Sequence, residues 1–161
     1  MLKELIEKTR SSRRFYQNEP LDTATLLELI DLARLAGSAR NIQPLKYSII
    51  NDRKACEIIF SHLGWAGYLN DWPGPVEGER PSAYIICLLD TTIANEADCD
   101  LGIATQNILL GATERGLGGC RIASISPKLH NASGLPEHLK ILLILALGKP
   151  KEHVVVDAIS T

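Results

Sequence analysis

The sequence predicts an α+β chain built in three layers around one mixed sheet. The apolar run at 83–90 is continuous rather than alternating, the pattern of a strand buried on both faces, and 139–147 reads as the last core strand. Segments with a 3.6-residue apolar period separate the strands, the longest at 96–115. The elements follow one another as α, α, β, α, loop, β, α, β, short α, β, without an internal repeat or a domain boundary. At 161 residues the chain reads as one domain, 1–161, large enough to bury a real core.

The elements can be justified in order. Leu2, Leu5 and Ile6 give a short apolar-periodic segment, followed by Arg10-Ser11-Ser12-Arg13-Arg14-Phe15 and a turn, Gln17-Asn18-Glu19-Pro20. Residues 21–36 read as an amphipathic helix with Asp22 or Thr23 as cap, a stripe of Leu26, Leu29, Ile30, Ala33 and Ala36, and Gly37 as the stop. The polar connection Ser38-Ala39-Arg40-Asn41-Ile42-Gln43-Pro44 leads into a strand at 46–50, and a helix at 53–63 closes at Gly64. Residues 65–82 follow neither period and hold Trp65, Tyr68 and Trp72 among glycines and prolines. A loop this long in a compact domain is functional or disordered, and its two tryptophans favour order. It is either a flap over a site or partner, or a loop that buries its aromatics on the scaffold.

Beyond the strand at 83–90, the helix at 96–115 carries Leu101, Ala104, Ile108, Leu109 and Ala112 on a nearly continuous apolar face. Gly102, Ala104, Gly111 and Ala112 would admit another backbone, from the sheet or from a second subunit. Gly116-Leu117-Gly118-Gly119 ends this helix, and 120–125 reads as a strand broken by Arg121. Pro127 opens a short helix, and the last strand, 139–147, closes at Gly148-Lys149-Pro150.

Composition narrows the function. A net charge of −2 gives no basic surface for nucleic acid. The longest apolar run, 141–147, is too short to span a bilayer, and the charged N-terminus lacks a secretory core, so the expectation is a soluble cytoplasmic domain. Cys56, Cys87, Cys99 and Cys120 are scattered and read as reduced thiols, while His62, His130, His138 and His153 lack metal-ligand spacing. No nucleophile elbow, Walker loop or dinucleotide fingerprint is present.

What remains is a basic, hydroxylated stretch, an amide-rich loop and a glycine-rich entry into a strand. Arginine forks fit a phosphate, and serine hydroxyls can complete its shell. The same arginines could equally be a solvated basic end to the first helix. Ser38, Asn41 and Gln43 could be plain turn chemistry, or donors and acceptors for the edge of a heteroaromatic ring.

Four motifs together resemble the nitroreductase-like flavoprotein family: Arg10-Ser11-Ser12-Arg13-Arg14-Phe15, Ser38-Ala39-Arg40-Asn41-Ile42-Gln43-Pro44, Gly116-Leu117-Gly118-Gly119-Cys120-Arg121-Ile122 and Ala146-Leu147-Gly148-Lys149-Pro150. They fall in family order and at family spacing. The resemblance implies a three-layer α-β-α nitroreductase-like fold, with a central mixed, mainly antiparallel sheet and a long core helix. It implies a homodimer with one FMN in each of two interface clefts. Arg10, Ser11 and Arg13 would hold the ribityl phosphate and the pyrimidine side. Ser38, Asn41 and Gln43 would also reach a flavin, Ser38 from the partner subunit. Arg121, Ile122, Ala123 and Ser124 would run along the isoalloxazine edge, with the Ala123 backbone N–H directed at N5. Gly118 and Gly119 would let backbone approach the ring, and Lys149 would add a cation.

The implied chemistry is ping-pong transfer from NAD(P)H through FMN to a nitroaromatic, quinone or similar small electron acceptor, with no catalytic side chain and no metal. Trp65, Tyr68 and Trp72 would lie at the substrate cleft. The chain departs from the family pattern at Thr9, where a further arginine is common, and at Arg121, where an aromatic residue or proline often stands. Many relatives also carry a basic pair in a C-terminal arm, and no such pair follows Val154-Val155-Val156-Asp157 up to Thr161. Lys149 and Lys151 are the candidate substitutes, and FMN affinity is the property these departures bear on. The alternatives are a non-catalytic flavin-binding dimer, or dehalogenation or flavin fragmentation on the same fold.

Overall fold

A computed structural model describes residues 1–157; the four positions beyond, including Thr161, lie outside the described residues. Five helices and four strands alternate as α1 (Leu2–Lys8), α2 (Thr23–Arg34), β1 (Leu45–Ile50), α3 (Arg53–Phe60), β2 (Ala83–Asp90), α4 (Asp98–Glu114), β3 (Gly118–Ile122), α5 (Leu129–Ser133) and β4 (Leu139–Gly148) among the described residues. The predicted element order holds.

The sheet runs β1-β2-β4-β3, and every ladder between its strands is antiparallel. Its mixed character comes from one isolated parallel bridge, Ser11 to Gly119. β2 is buried from Ala83 to Leu89, so successive side chains must find apolar partners on opposite faces. Ala83, Ile85 and Cys87 join Leu145 and Leu147 in a cluster with Leu26 and Leu29 of α2 and Ala104, Ile108 and Leu109 of α4. Tyr84, Ile86 and Leu88 join Ile144 and Ala146 on the other face, with Cys56 and Ile59 of α3 and Leu129 of α5. The result is three layers, helix, sheet, helix. A register shift between Cys87 and Leu88 slips β2 by one residue against β4.

Local chemistry sets the ends of the elements. Asp22 caps α2 by accepting from the Thr25 amide at 2.7 Å, and Asp52 caps α3 by accepting from the Ala55 amide at 3.0 Å. α2 stops at Arg34, short of the expected Ala36, because the chain turns towards Ser38, which Asp100 captures. α3 ends at Phe60 rather than running to Leu63, because Leu63 pairs with Ile125.

The largest difference from expectation is at β3. It begins at Gly118, because Gly118 and Gly119 pair with Gly148 and Leu147, and it ends at Ile122. Gly116, at φ +71°, makes the turn out of α4. A Cβ on Gly119 would lie 2.5 Å from the Ala146 carbonyl oxygen and 2.8 Å from a Leu147 methyl. A Cβ on Gly118 would meet Pro150 and Ser12, each at 2.7 Å.

Gly119→Ala should therefore destabilise the fold by about 1–3 kcal/mol, because a backbone carbonyl cannot move aside as a flexible side chain can. Gly102 in α4 has nothing within 4 Å of its Cβ position. Gly102→Ala should stabilise by about 0.5–1 kcal/mol through helix propensity. Urea denaturation of both variants beside the parent measures this pair of opposite signs.

Candidate functional site

The basic stretch runs extended beside β3. Ser12 donates its amide to the Gly119 carbonyl at 3.0 Å, and Ser11 bridges Gly119 in parallel fashion. Phe15 is fully buried and bridges Pro150, the Tyr16 amide donates to Lys149 O, and the Lys151 amide donates to Arg14 O, each at 2.9 Å. The stretch is thus stitched between β3 and the segment that leaves β4.

Its three arginines have different fates. Arg14 is spent on structure. It pairs with Glu79 at 3.5 Å and Glu152 at 3.2 Å, and its guanidinium sits 4.8 Å from the Trp72 ring centroid. Glu152 also accepts from the Arg13 and Arg14 amides, clamping the tail to the stretch. Among the described residues Arg10 donates only to the neighbouring Thr9 carbonyl at 2.9 Å. Arg13 reaches the Ser11 carbonyl at 3.5 Å and lies 5.6 Å from the Tyr68 ring centroid. Among the described residues neither Arg10 nor Arg13 has a carboxylate partner. Arg10 lines a cleft of about 320 Å³ with Lys8, Ser12, Thr113 and His153. Thr9, where a further arginine would stand, bonds instead to Leu5 O at 2.7 Å and Thr113 Oγ1 at 3.1 Å.

The end of β3 and the residues after it present Arg121, Ala123 and Ser124 at the surface, while Ile122 turns into the core. Arg121 donates to Thr105 Oγ1 and to Gln106 Oε1 of α4, both at 2.9 Å. Partial burial holds its guanidinium below its usual pKa, as expected of a cation braced by neutral groups. The Ala123 amide has no acceptor among the described residues, whereas the Ser124 carbonyl accepts from Gly64 at 2.8 Å. Ala123 also lines a cleft of about 300 Å³ with Ser126, His130 and Lys140.

The amide-rich loop lies elsewhere. Ser38 donates to Asp100 at 2.6 Å, in the first turn of α4, whereas Thr9 contacts Thr113 in its last turn. At about 1.5 Å per residue these contacts are about 20 Å apart along the helix. They also flank opposite edges of the sheet, β1 and β3. Within one chain the structure does not bring Ser38, Asn41 and Gln43 to Arg10. A cleft of about 450 Å³ opens beside that loop between α2 and β1.

Several of the expected site residues have partners within the chain. Trp65 is only 8% exposed, packs 5.7 Å from the Phe60 ring and buries its Nε1 without a protein partner, so it belongs to the core. A Cβ on Gly74 would strike the Trp65 ring at 2.8 Å. Trp72 is partly buried against the same core and carries Arg14, which leaves Tyr68, 70% exposed, as the loop's free aromatic. Lys149 pairs with Glu19 at 3.0 Å and Lys151 with Glu79 at 3.2 Å. At Gly118 and Gly119 the space a Cβ would need is taken by atoms of this chain. Glu152 and Asp100 were missed. A lone acid in a tail or at a helix start carries no sequence signal beyond favouring a helix N-terminus.

All four cysteines are free, with Cys56, Cys87 and Cys120 buried and Cys99 exposed. Burial pushes the thiols up, Cys56 to about 11 and Cys87 and Cys120 to about 12. No helix is long and apolar enough to cross a membrane among the described residues, and no group of His, Cys, Asp or Glu there could hold a metal.

Three comparisons bear on this arrangement. The sequence pattern described as the Nitroreductase family matches residues 6–68 and 81–149. A protein of Archaeoglobus fulgidus named "Putative NADH dehydrogenase/NAD(P)H nitroreductase" is 25% identical over 153 residues, 89% of this chain and 83% of that one. A solved nitroreductase family protein from Clostridium novyi superposes with a TM-score of 0.76 at 26% identity, over 94% of this chain and 87% of its own. An FMN-dependent nitroreductase from Clostridium difficile shares the fold, with a TM-score of 0.72 at 20% identity over 99% and 97% of the two chains.

Titration with a chromogenic disulfide at neutral pH should label one thiol per chain, Cys99, and four only after denaturation. Rapid labelling of a second thiol in native protein would contradict this burial.

Proposed function

The chain belongs to the nitroreductase family, and from that premise we propose that it is an FMN-dependent oxidoreductase. In this reading NADH or NADPH is the electron donor and a nitroaromatic, quinone or similar electron-poor small molecule is the acceptor. The observation that carries it is the pairing of Ser11 with Gly119. That contact sets a stretch bearing two guanidiniums without carboxylate partners beside the strand that leads to the unpaired Ala123 amide. The C. difficile relative, described as FMN-dependent, supports the choice of cofactor.

These residues fit the polar half of a flavin. Arg10 and Arg13 would neutralise a phosphate or the electron-rich pyrimidine side, and the exposed Ser11 hydroxyl would add a donor. The Ala123 amide would donate to a ring nitrogen without requiring a side chain there. FMN, held by these residues, would supply the redox chemistry, two-electron exchange between a nicotinamide donor and the acceptor. Donor and acceptor would use one cleft in turn, which is ping-pong behaviour. Tyr68, beside Arg13, would border the mouth of that cleft.

Ser38, Asn41 and Gln43 lie too far from Arg10 to share one flavin with it in the same chain. The reading therefore includes a homodimer in which this loop of the partner subunit completes each site. Relative to family members with a basic arm, Lys149 and Lys151 are committed to Glu19 and Glu79. That observation favours the second reading, a flavin-binding dimer without turnover.

A visible spectrum of the purified protein with added FMN, followed anaerobically by NADH or NADPH, separates the two. A bound flavin band that bleaches with either donor supports the oxidoreductase, and a band that never bleaches supports the binder. Arg13→Ala should raise the FMN dissociation constant about tenfold, the worth of one charge-assisted contact. Absence of flavin binding overturns both readings.

A further inference from the structure

The loop Ser38–Gln43 is held in a conformation that its own sequence does not favour. Four non-glycine residues have φ between +36° and +56°, and three of them, Arg40, Asn41 and Gln43, lie here. For residues with a Cβ each such position is strained, so something outside the loop must hold it. Asp100, only 6% exposed, reaches out of the first turn of α4 and accepts from Ser38 Oγ at 2.6 Å and from the Ala39 amide at 3.2 Å. Ser38 Oγ in turn accepts from the Gln43 amide at 3.0 Å, so one carboxyl ties both ends of the loop. The Asn41 and Gln43 side chains bond to each other at 2.6 Å and stay exposed, with one amide donor group and one acceptor group left free. Nothing else in the described structure engages those two amides.

We propose that Asp100 is a positioning residue for flavin binding: it holds Ser38 and Gln43 so that the loop presents Asn41 and Gln43, preformed, to the flavin of the partner subunit. The assignment rests on the flavin reading above. Asp100 does not touch the ligand. It removes the ordering cost that a free loop would meet on binding, so its contribution appears in affinity.

The test is FMN titration of apoprotein, followed by flavin fluorescence and by the position of the bound visible band. Thermal unfolding of each apoprotein runs alongside. Asp100→Ala should weaken FMN binding about tenfold or more. Asp100→Asn, which keeps one acceptor oxygen, should fall between Asp100→Ala and the parent. Adding Ser38→Ala to Asp100→Ala should cost little more, because both remove the same relay. Parental affinity and band position in folded Asp100→Ala, or full additivity with Ser38→Ala, overturns the assignment. If Asp100→Ala does not fold, Asp100→Asn decides it, and unchanged affinity and band position there overturns it. A parent protein that takes up no FMN overturns the flavin reading itself, a result distinct from all of these.

Discussion

Everything in this structure depends on burying β2 and β4 on both faces. A strand alternates its side chains, so an apolar strand in the middle of a sheet needs a hydrophobic layer on each side. Ala83, Ile85 and Cys87 meet α2 and α4, while Tyr84, Ile86 and Leu88 meet α3 and α5. A slip of one residue would exchange the two sets and place the Tyr84 ring where Ala83 and Ile85 now pack. The central pair therefore determines where every helix lies and leaves the chemistry to the two edges.

At the β3 edge, close approach and charge are settled together. Gly118 and Gly119 leave room for Ser12, Pro150 and the β4 backbone, and so allow the basic stretch to lie against the strand. Charge is then divided by geometry. Arg14 sits between Glu79 and Glu152 over Trp72 and locks the aromatic loop, the stretch and the tail together. Arg10 and Arg13, in the same six residues, keep their charges uncompensated. Arg13 and Arg14 thus do different work because neighbouring residues of an extended segment face opposite sides.

At the other edge, α4 acts as a spacer. Its first turn holds the Ser38 loop through Asp100, and its last turn holds Thr9 through Thr113. A rigid helix between them keeps the amide loop and the arginines from converging within one chain. Two-fold pairing of copies is the arrangement that would bring unlike ends together.

Much of this was legible in the residues themselves. Continuous apolar runs marked β2 and β4, and 3.6-residue periodicity marked α2 and α4, because burial leaves a period in the sequence. Asp22 as a cap is local chemistry and was readable for the same reason. The four motifs pointed to the family because they keep its order and spacing. Where β3 begins and which lysines are free were not legible, since each depends on residues distant in the chain: Gly148 for Gly118, Glu19 for Lys149. Glu152 and Asp100 look like surface acids in the sequence and become clamps only through partners more than sixty positions away. The sequence by itself determined the layers, the order of the elements and the chemical types available to a site. Tertiary structure alone decided which charges remain free and which loop is held rigid, because a charge is spent or spared by its neighbour in space.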